Sequence, residues 1–254
     1  MPLTRLYQKP VSLFLFVLFI STLSSSLLAQ AKTVVDPSYW LVAHTEFKFT
    51  NRWSSFVELE ERRFISPERA LQRSLPLLGL KYKASDRFSF EVDYLNFKIF
   101  LPQIANTDIN AHVLEQRFSF AASFTFGKRR RFSLRLKDEY RLFDITPDDG
   151  KLEFKRAINR LRIRLAHQLP LKADWTLNSS AELLLNYAAK TSIKTFDQSR
   201  FYLGFKYQLS PSHSLEVGYL NWYQESRTMA LFFNRHIVRL GWVYTLDFRP
   251  TNQT

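Results

Sequence analysis

RFSLRLKDEYRLFD, residues 131–144, followed after a polar interval by FKRAINRLRIRLAHQL, residues 154–169, is the stretch whose reading decides the fold. In the first segment Phe132, Leu134, Leu136, Tyr140 and Leu142 share one parity, and Ser133, Arg135, Lys137, Glu139 and Arg141 share the other. In the second, Arg156, Arg160, Arg162 and Arg164 alternate with Ala157, Leu161, Ile163 and Leu165. Successive side chains on a strand point to opposite faces, so this is a hairpin of two long strands, each apolar on one face and charged on the other. A soluble sandwich buries the apolar face and hydrates the charged one. A membrane barrel does the reverse, with lipid on the apolar side and charge around a lumen.

Working outward, the same unit recurs. Phe118, Phe120, Phe124 and Phe126 oppose Glu115, Arg117, Ser119 and Ser123. Phe88, Phe90, Val92 and Tyr94 oppose Ser89, Glu91 and Asp93, and Trp53, Val57 and Leu59 oppose Ser54, Glu58, Glu60 and Arg62. On the C-terminal side Leu177, Ala181, Leu183 and Leu185 oppose Asn178, Ser180, Glu182 and Asn186, and Phe201, Leu203 and Phe205 oppose Arg200 and Lys206. Tight turns near residues 51, 85, 128, 171 and 211 alternate with longer loops near 69, 105, 149, 192 and 229. A repeat of about forty residues also suggests a propeller, but a propeller blade needs four short strands per repeat and this one holds two long ones. The expectation is an all-β fold: an antiparallel transmembrane β-barrel of the outer-membrane type, with about ten to twelve strands. The pattern itself yields eleven. Bacterial barrels have even counts, so either Lys32 to Asp36 adds a short strand or one strand lies outside the wall.

The ends fit that class. Residues 1–31 carry Arg5 and Lys9, an apolar run from Val11 to Ile20, and Ala29-Gln30-Ala31, as in a cleaved secretory signal. Residues 32–254 then form a single barrel domain, placed in the bacterial outer membrane. Cysteine is absent, which excludes disulfides and thiolate metal sites. Only six glycines are present and no phosphate-cradling loop occurs, so no cofactor is expected. The net charge of +13 and an aromatic content of 16% invite a nucleic-acid reading. Aromatics and charges occupy opposite faces, however, so nucleic acid is not an expected partner. Aromatic belts are expected at both strand ends: Trp53, Phe88, Phe126, Phe132, Trp175 and Phe248 beside the short turns, and Phe64, Phe97, Phe143, Tyr187 and Tyr223 beside the long loops. Asp138 falls in the apolar register, which calls for a headgroup-level position or a bulge that returns it to the lumen.

Several segments resemble a family of secreted outer-membrane barrels defined only as a domain of unknown function. They are Trp53 with Glu58 to Arg62, Phe196-Asp197-Gln198-Ser199-Arg200 followed by Gly204 and Tyr207, Leu215-Glu216-Val217-Gly218-Tyr219, and Asn234 and His236. The resemblance implies a barrel and a location, and brings no catalytic residues with it.

The candidate functional surface is the lumen. Arg135, Lys137, Arg141, Arg156, Arg160, Arg162, Arg164 and Arg200 are its basic set, and Glu58, Glu60, Glu91, Asp93, Glu139 and Glu182 its acidic partners. In one reading these ions pair across a narrow barrel and fill it, leaving at most a small channel. In another, the permanently charged guanidiniums line an anion-preferring porin for small acidic solutes. A third reading is a lipid-modifying hydrolase at the rim, using His112 near Asp108 and Glu115, or His236 near Asn234. His213 lies between two serines on a short turn, and His44 with Glu46 lacks metal-ligand company. The expected partners are outer-membrane lipid and small anionic solutes.

Overall fold

The structure, a computed structural model, describes residues 32–101, 111–144, 154–187, 194–226 and 231–250, with the side chains of 111 and 154–156 set apart. The expected signal, residues 1–31, lies outside the described residues. Eleven strands follow one another: β1 (Lys32–Lys48), β2 (Trp53–Phe64), β3 (Arg69–Lys83), β4 (Phe88–Leu101), β5 (Ala111–Phe126), β6 (Phe132–Asp144), β7 (Phe154–Pro170), β8 (Trp175–Tyr187), β9 (Phe196–Gln208), β10 (His213–Glu225) and β11 (Leu231–Asp247). Each pairs antiparallel with the next, and the sheet closes into a barrel.

Closure is made by β1 and β11 in parallel, from Lys32 opposite Leu231 to Lys48 opposite Asp247. This resolves the odd strand count. Hairpin connections reverse direction at each step, so with eleven strands the first and last run the same way and their ladder must be parallel. Even parity is therefore corrected. Lys32 to Asp36 is no extra strand but the first part of β1, paired with Leu231 to Arg235.

The outer wall carries the apolar parity. Phe90, Phe120, Leu136, Leu203, Val217 and Leu240 all stand exposed on it. On β5 the outward run Phe126, Phe124, Ala122, Phe120 and Phe118 ends at Gln116. At a rise of about 3.3 Å tilted by about 40°, such a run spans about 20 Å, comparable to the apolar band of about 25 Å in membrane barrels. Above it, toward the long loops, outward side chains turn polar and satisfy one another. Arg73 and Arg63 pair with Glu61 at 2.5 and 3.0 Å, the Tyr219 hydroxyl meets His236 at 2.6 Å, and Asn221 donates to Asn234 at 2.7 Å. Asp138 lies lower, within the apolar band, opposite Phe120 and Leu161 on its two ladders. β6 runs in unbroken register from Phe132 through Phe143, so no bulge turns Asp138 inward. It faces out and accepts a hydrogen bond from the Tyr187 hydroxyl.

Two irregularities aim lumen residues. Within β3 the register slips between Leu75 and Leu78 on the β4 side and opposite Glu58 to Glu61 on the β2 side. Pro76, which has no N–H to give a ladder, sits inside this bulge. Ser74 turns inward there, and its hydroxyl accepts the Glu60 N–H at 2.6 Å. The segment from Ser66 to Arg73, expected as loop, is strand from Arg69 onward. In β9 a shift between Leu184 and Leu185 leaves Asp197 as the extra residue. Both Asp197 and Gln198 are consequently buried.

Glycine has one decisive use in the wall. The Tyr202 ring lies flat over Gly204 and Gly218, where an added Cβ would stand 2.2 and 2.5 Å from the tyrosine oxygen. Any side chain at either position would push the ring into the lumen. At the short-turn end, Asp86 bridges Lys83 at 2.8 Å and Arg130 at 3.2 Å. The hydrogen bond from the Lys83 ammonium, with Arg130 beside it, holds this exposed carboxyl below the usual carboxylate range.

Candidate functional site

The lumen changes character along its length. Nearest the short turns it is a layer of ion pairs, partly open at Arg135 and Arg239 and buried at Lys137 and Asp93. Arg135 pairs with Glu91, Lys137 reaches Asp93 at 2.6 Å, and Arg239 pairs with Glu216, which also accepts from Asn178 at 3.2 Å. His44 meets Glu58 at 2.9 Å and stacks on Phe56. Phe56 itself lies against Gly79.

The middle layer is a dry lattice. Glu139, 0% exposed, accepts from Arg160 at 2.6 Å and Arg162 at 2.8 Å, with Arg117 at 3.5 Å. Glu115, also 0% exposed, accepts from Arg141 at 2.6 and 2.9 Å and from Arg117 at 2.9 Å. Arg160 bridges on to the bulge residue Asp197 at 2.6 Å, and Arg162 reaches Glu182 at 2.7 and 3.0 Å. Arg62 donates to Glu60 at 2.6 Å and to Gln72. Most of these pairs lie within a strand or join neighbours and next neighbours, and Arg141 reaches farther, to Asp197 three strands away at 3.9 Å. One cavity of about 670 Å³ follows the lumen past all three layers, lined by Lys81 and Phe56 near the short turns, by the arginines of the lattice, and by Trp222, Phe233 and Ser226 toward the long loops.

The outer layer is aromatic and aliphatic. Trp40, Phe64, Leu71, Leu220, Trp222 and Ile237 form one buried cluster, and Leu95, Phe97, Ile99, Phe143 and Ile158 another. This corrects part of the expected outer belt. Phe64, Phe97 and Phe143 keep the parity of Arg62, Asp93 and Arg141 and so point into the lumen, whereas Tyr187 stands on the outer wall. The guanidiniums rest on these rings: Arg62 lies 3.8 Å from the Trp40 ring, Arg200 5.0 Å from Trp222 and Arg235 4.3 Å from Phe233. Such cation–π contacts gain when desolvated, which suits arginine in a layer that excludes water.

Of the basic set read from the sequence, Arg135, Lys137, Arg141, Arg160, Arg162, Arg164 and Arg200 line the cavity. Of the acidic set, Glu58, Glu60, Glu91, Asp93 and Glu182 line it too, while Glu139 sits behind its arginines. The side chain of Arg156 lies outside the described residues. Asp197 escaped the reading because alternation cannot see a bulge. Trp40 and Trp222, which share parity with His44 and Glu216, escaped because the lumen was read from its charged residues alone. Among the described residues the rim histidines are not assembled into a triad. His236 faces outward on Tyr219, His213 stacks on Tyr244 at 4.5 Å, and His112 is exposed near the start of β5. Asp108 lies outside the described residues.

A closed wall of antiparallel hairpins with one parallel seam, apolar outside and charged inside, has the architecture of an outer-membrane β-barrel. The family profile described as "Protein of unknown function (DUF2490)" matches residues 38–231, and the chain belongs to that family. No curated protein matches the sequence significantly. Among solved structures, the NanC porin in a rhombohedral crystal form is similar, with a TM-score of 0.45 and 10% identity over 76% of this chain and 88% of that one.

Proposed function

We propose that this chain is an outer-membrane barrel whose lumen is an anion-preferring chamber, open toward the periplasmic short turns and occluded in its outer half, rather than a general pore. Outer-membrane lipid surrounds the wall, and small anionic solutes are the partners inside. The observation that carries this reading is the gradient of exposure along the lumen. The Arg135 side chain, near the short turns, is 23% exposed, Arg160 in the lattice 2%, and Trp222 in the outer cluster 0%.

Anion preference follows from arginine, which stays charged at any physiological pH.

Planar-bilayer recording in a salt gradient tests both halves of the proposal. The expected result is little steady conductance, with any residual current reversing on the anion-selective side. A large steady conductance would overturn the occlusion, and a cation-selective reversal would overturn the anion preference.

A further inference from the structure

We infer that the chamber contains one discrete site for a small organic carboxylate, centred on the Arg164 guanidinium. The inference rests on the chamber reading above and adds to it a ligand class and a residue.

The register makes Arg164 singular. It stands between Arg135 on β6 and Glu182 on β8, its two direct neighbours across the ladders. Glu182 is the carboxylate it ought to own. Instead both Glu182 oxygens turn to Arg162, at 2.7 and 3.0 Å, and the remaining approach is from Arg200 at 3.8 Å. Arg135 is held by Glu91 and Arg239 by Glu216. Arg162 also takes Glu139 and Arg200 also takes Gln198, whereas Arg164 lines the cavity with neither an ion pair nor a hydrogen bond among the described residues.

Its surroundings intensify the deficit. Glu182 is the one carboxylate within electrostatic range of Arg164, against the three like charges of Arg135, Arg162 and Arg239. On the β3 wall, Lys81 faces the same cavity with the Phe56 ring, 4.5 Å away, as its contact. A positive excess within low-dielectric walls focuses potential on the enclosed space. The cavity, about 670 Å³, falls in the range of small-molecule sites. A planar guanidinium fork matches a carboxylate with two parallel hydrogen bonds, which a lysine cannot reproduce.

The test is isothermal titration calorimetry on the folded barrel in detergent, with glutarate as probe and inorganic phosphate and chloride as comparators. Saturable one-to-one binding of glutarate is expected, with phosphate weaker and chloride weakest. Arg164→Gln should weaken glutarate binding by roughly tenfold or more, and Arg164→Lys should recover part of it. Arg249→Gln, which alters an arginine paired with Asp247 beyond the end of β11, should bind as the unaltered protein does. Retained mobility shift on unheated gels identifies the variants that are folded. Absence of saturable binding, undiminished binding in both Arg164 variants, or phosphate binding tighter than glutarate would each overturn the site. These outcomes are separate from those of the bilayer recording: an occluded barrel without binding loses the site alone, and a conducting one loses the chamber.

Discussion

Glu139→Ala is expected to lower the folding stability of the barrel by about 3–5 kcal/mol, the cost of removing one partner from a buried ionic network. Glu139 stands at the hub of the lattice, between Arg160, Arg162 and Arg117. Water does not reach its carboxylate, and its loss leaves three guanidiniums facing one another across a dry layer. Asp197, Glu182 and Glu115 each hold one of them in part, which keeps the cost within the range for one broken network rather than three. The measurement is the urea midpoint of barrel folded in phospholipid vesicles, read by gel mobility without heating. An unchanged midpoint would mean that the lattice is not dry and that its charges are hydrated in place. Asp86→Ala, which removes a fully exposed carboxylate at a short turn, should leave the midpoint where it is.

Leu203→Arg tests the other face. Leu203 is exposed on the outer wall of β9, between Phe201 and Phe205, with Ser179 and Tyr219 as its ladder neighbours and no acid beside it. It lies about six residues above the short turn near 211, near the middle of the apolar band at about 2.5 Å per tilted residue. An arginine there should cost about 2–4 kcal/mol, against about 0–1 kcal/mol for Gln116→Arg where the band ends. The same vesicle assay reads both. Equal effects at the two positions would show that the outward aromatics do not face lipid, because a water-exposed wall accepts arginine equally at either height.

Much of this was legible in the alternation. The parity of Arg135, Lys137, Glu139 and Arg141 against Leu134, Leu136 and Tyr140 determines which face each residue takes, and the closed wall follows it strand by strand. Three things were not legible, each for a physical reason. A bulge breaks the parity rule locally, so Asp197 and the Ser74 to Leu77 segment could be placed only by the ladder itself. Parallel closure depends on the odd strand number, which local patterns constrain weakly. Ion-pair partners depend on side-chain reach as well as on register: Arg135 skips β5 to take Glu91, and Glu182 leans to Arg162 and leaves Arg164 alone. The last of these matters most for function, since a sequence count of charges shows an excess of base without saying where it is unneutralised.

The account's central claim is a charged lumen that water enters from the short-turn end and does not cross. The chain has no cysteine, so single replacements report cleanly on position. Ser54→Cys lies on the lumen side next to a short turn, Ser38→Cys on the lumen side of the buried outer layer, and Leu136→Cys on the outer wall. The direct measurement is labelling of each by a small charged thiol reagent, added to folded barrel in vesicles. The account predicts rapid labelling at Ser54→Cys and protection at Ser38→Cys and Leu136→Cys. Rapid labelling at Ser38→Cys would contradict the occluded outer half, and rapid labelling at Leu136→Cys would contradict the lipid-facing wall.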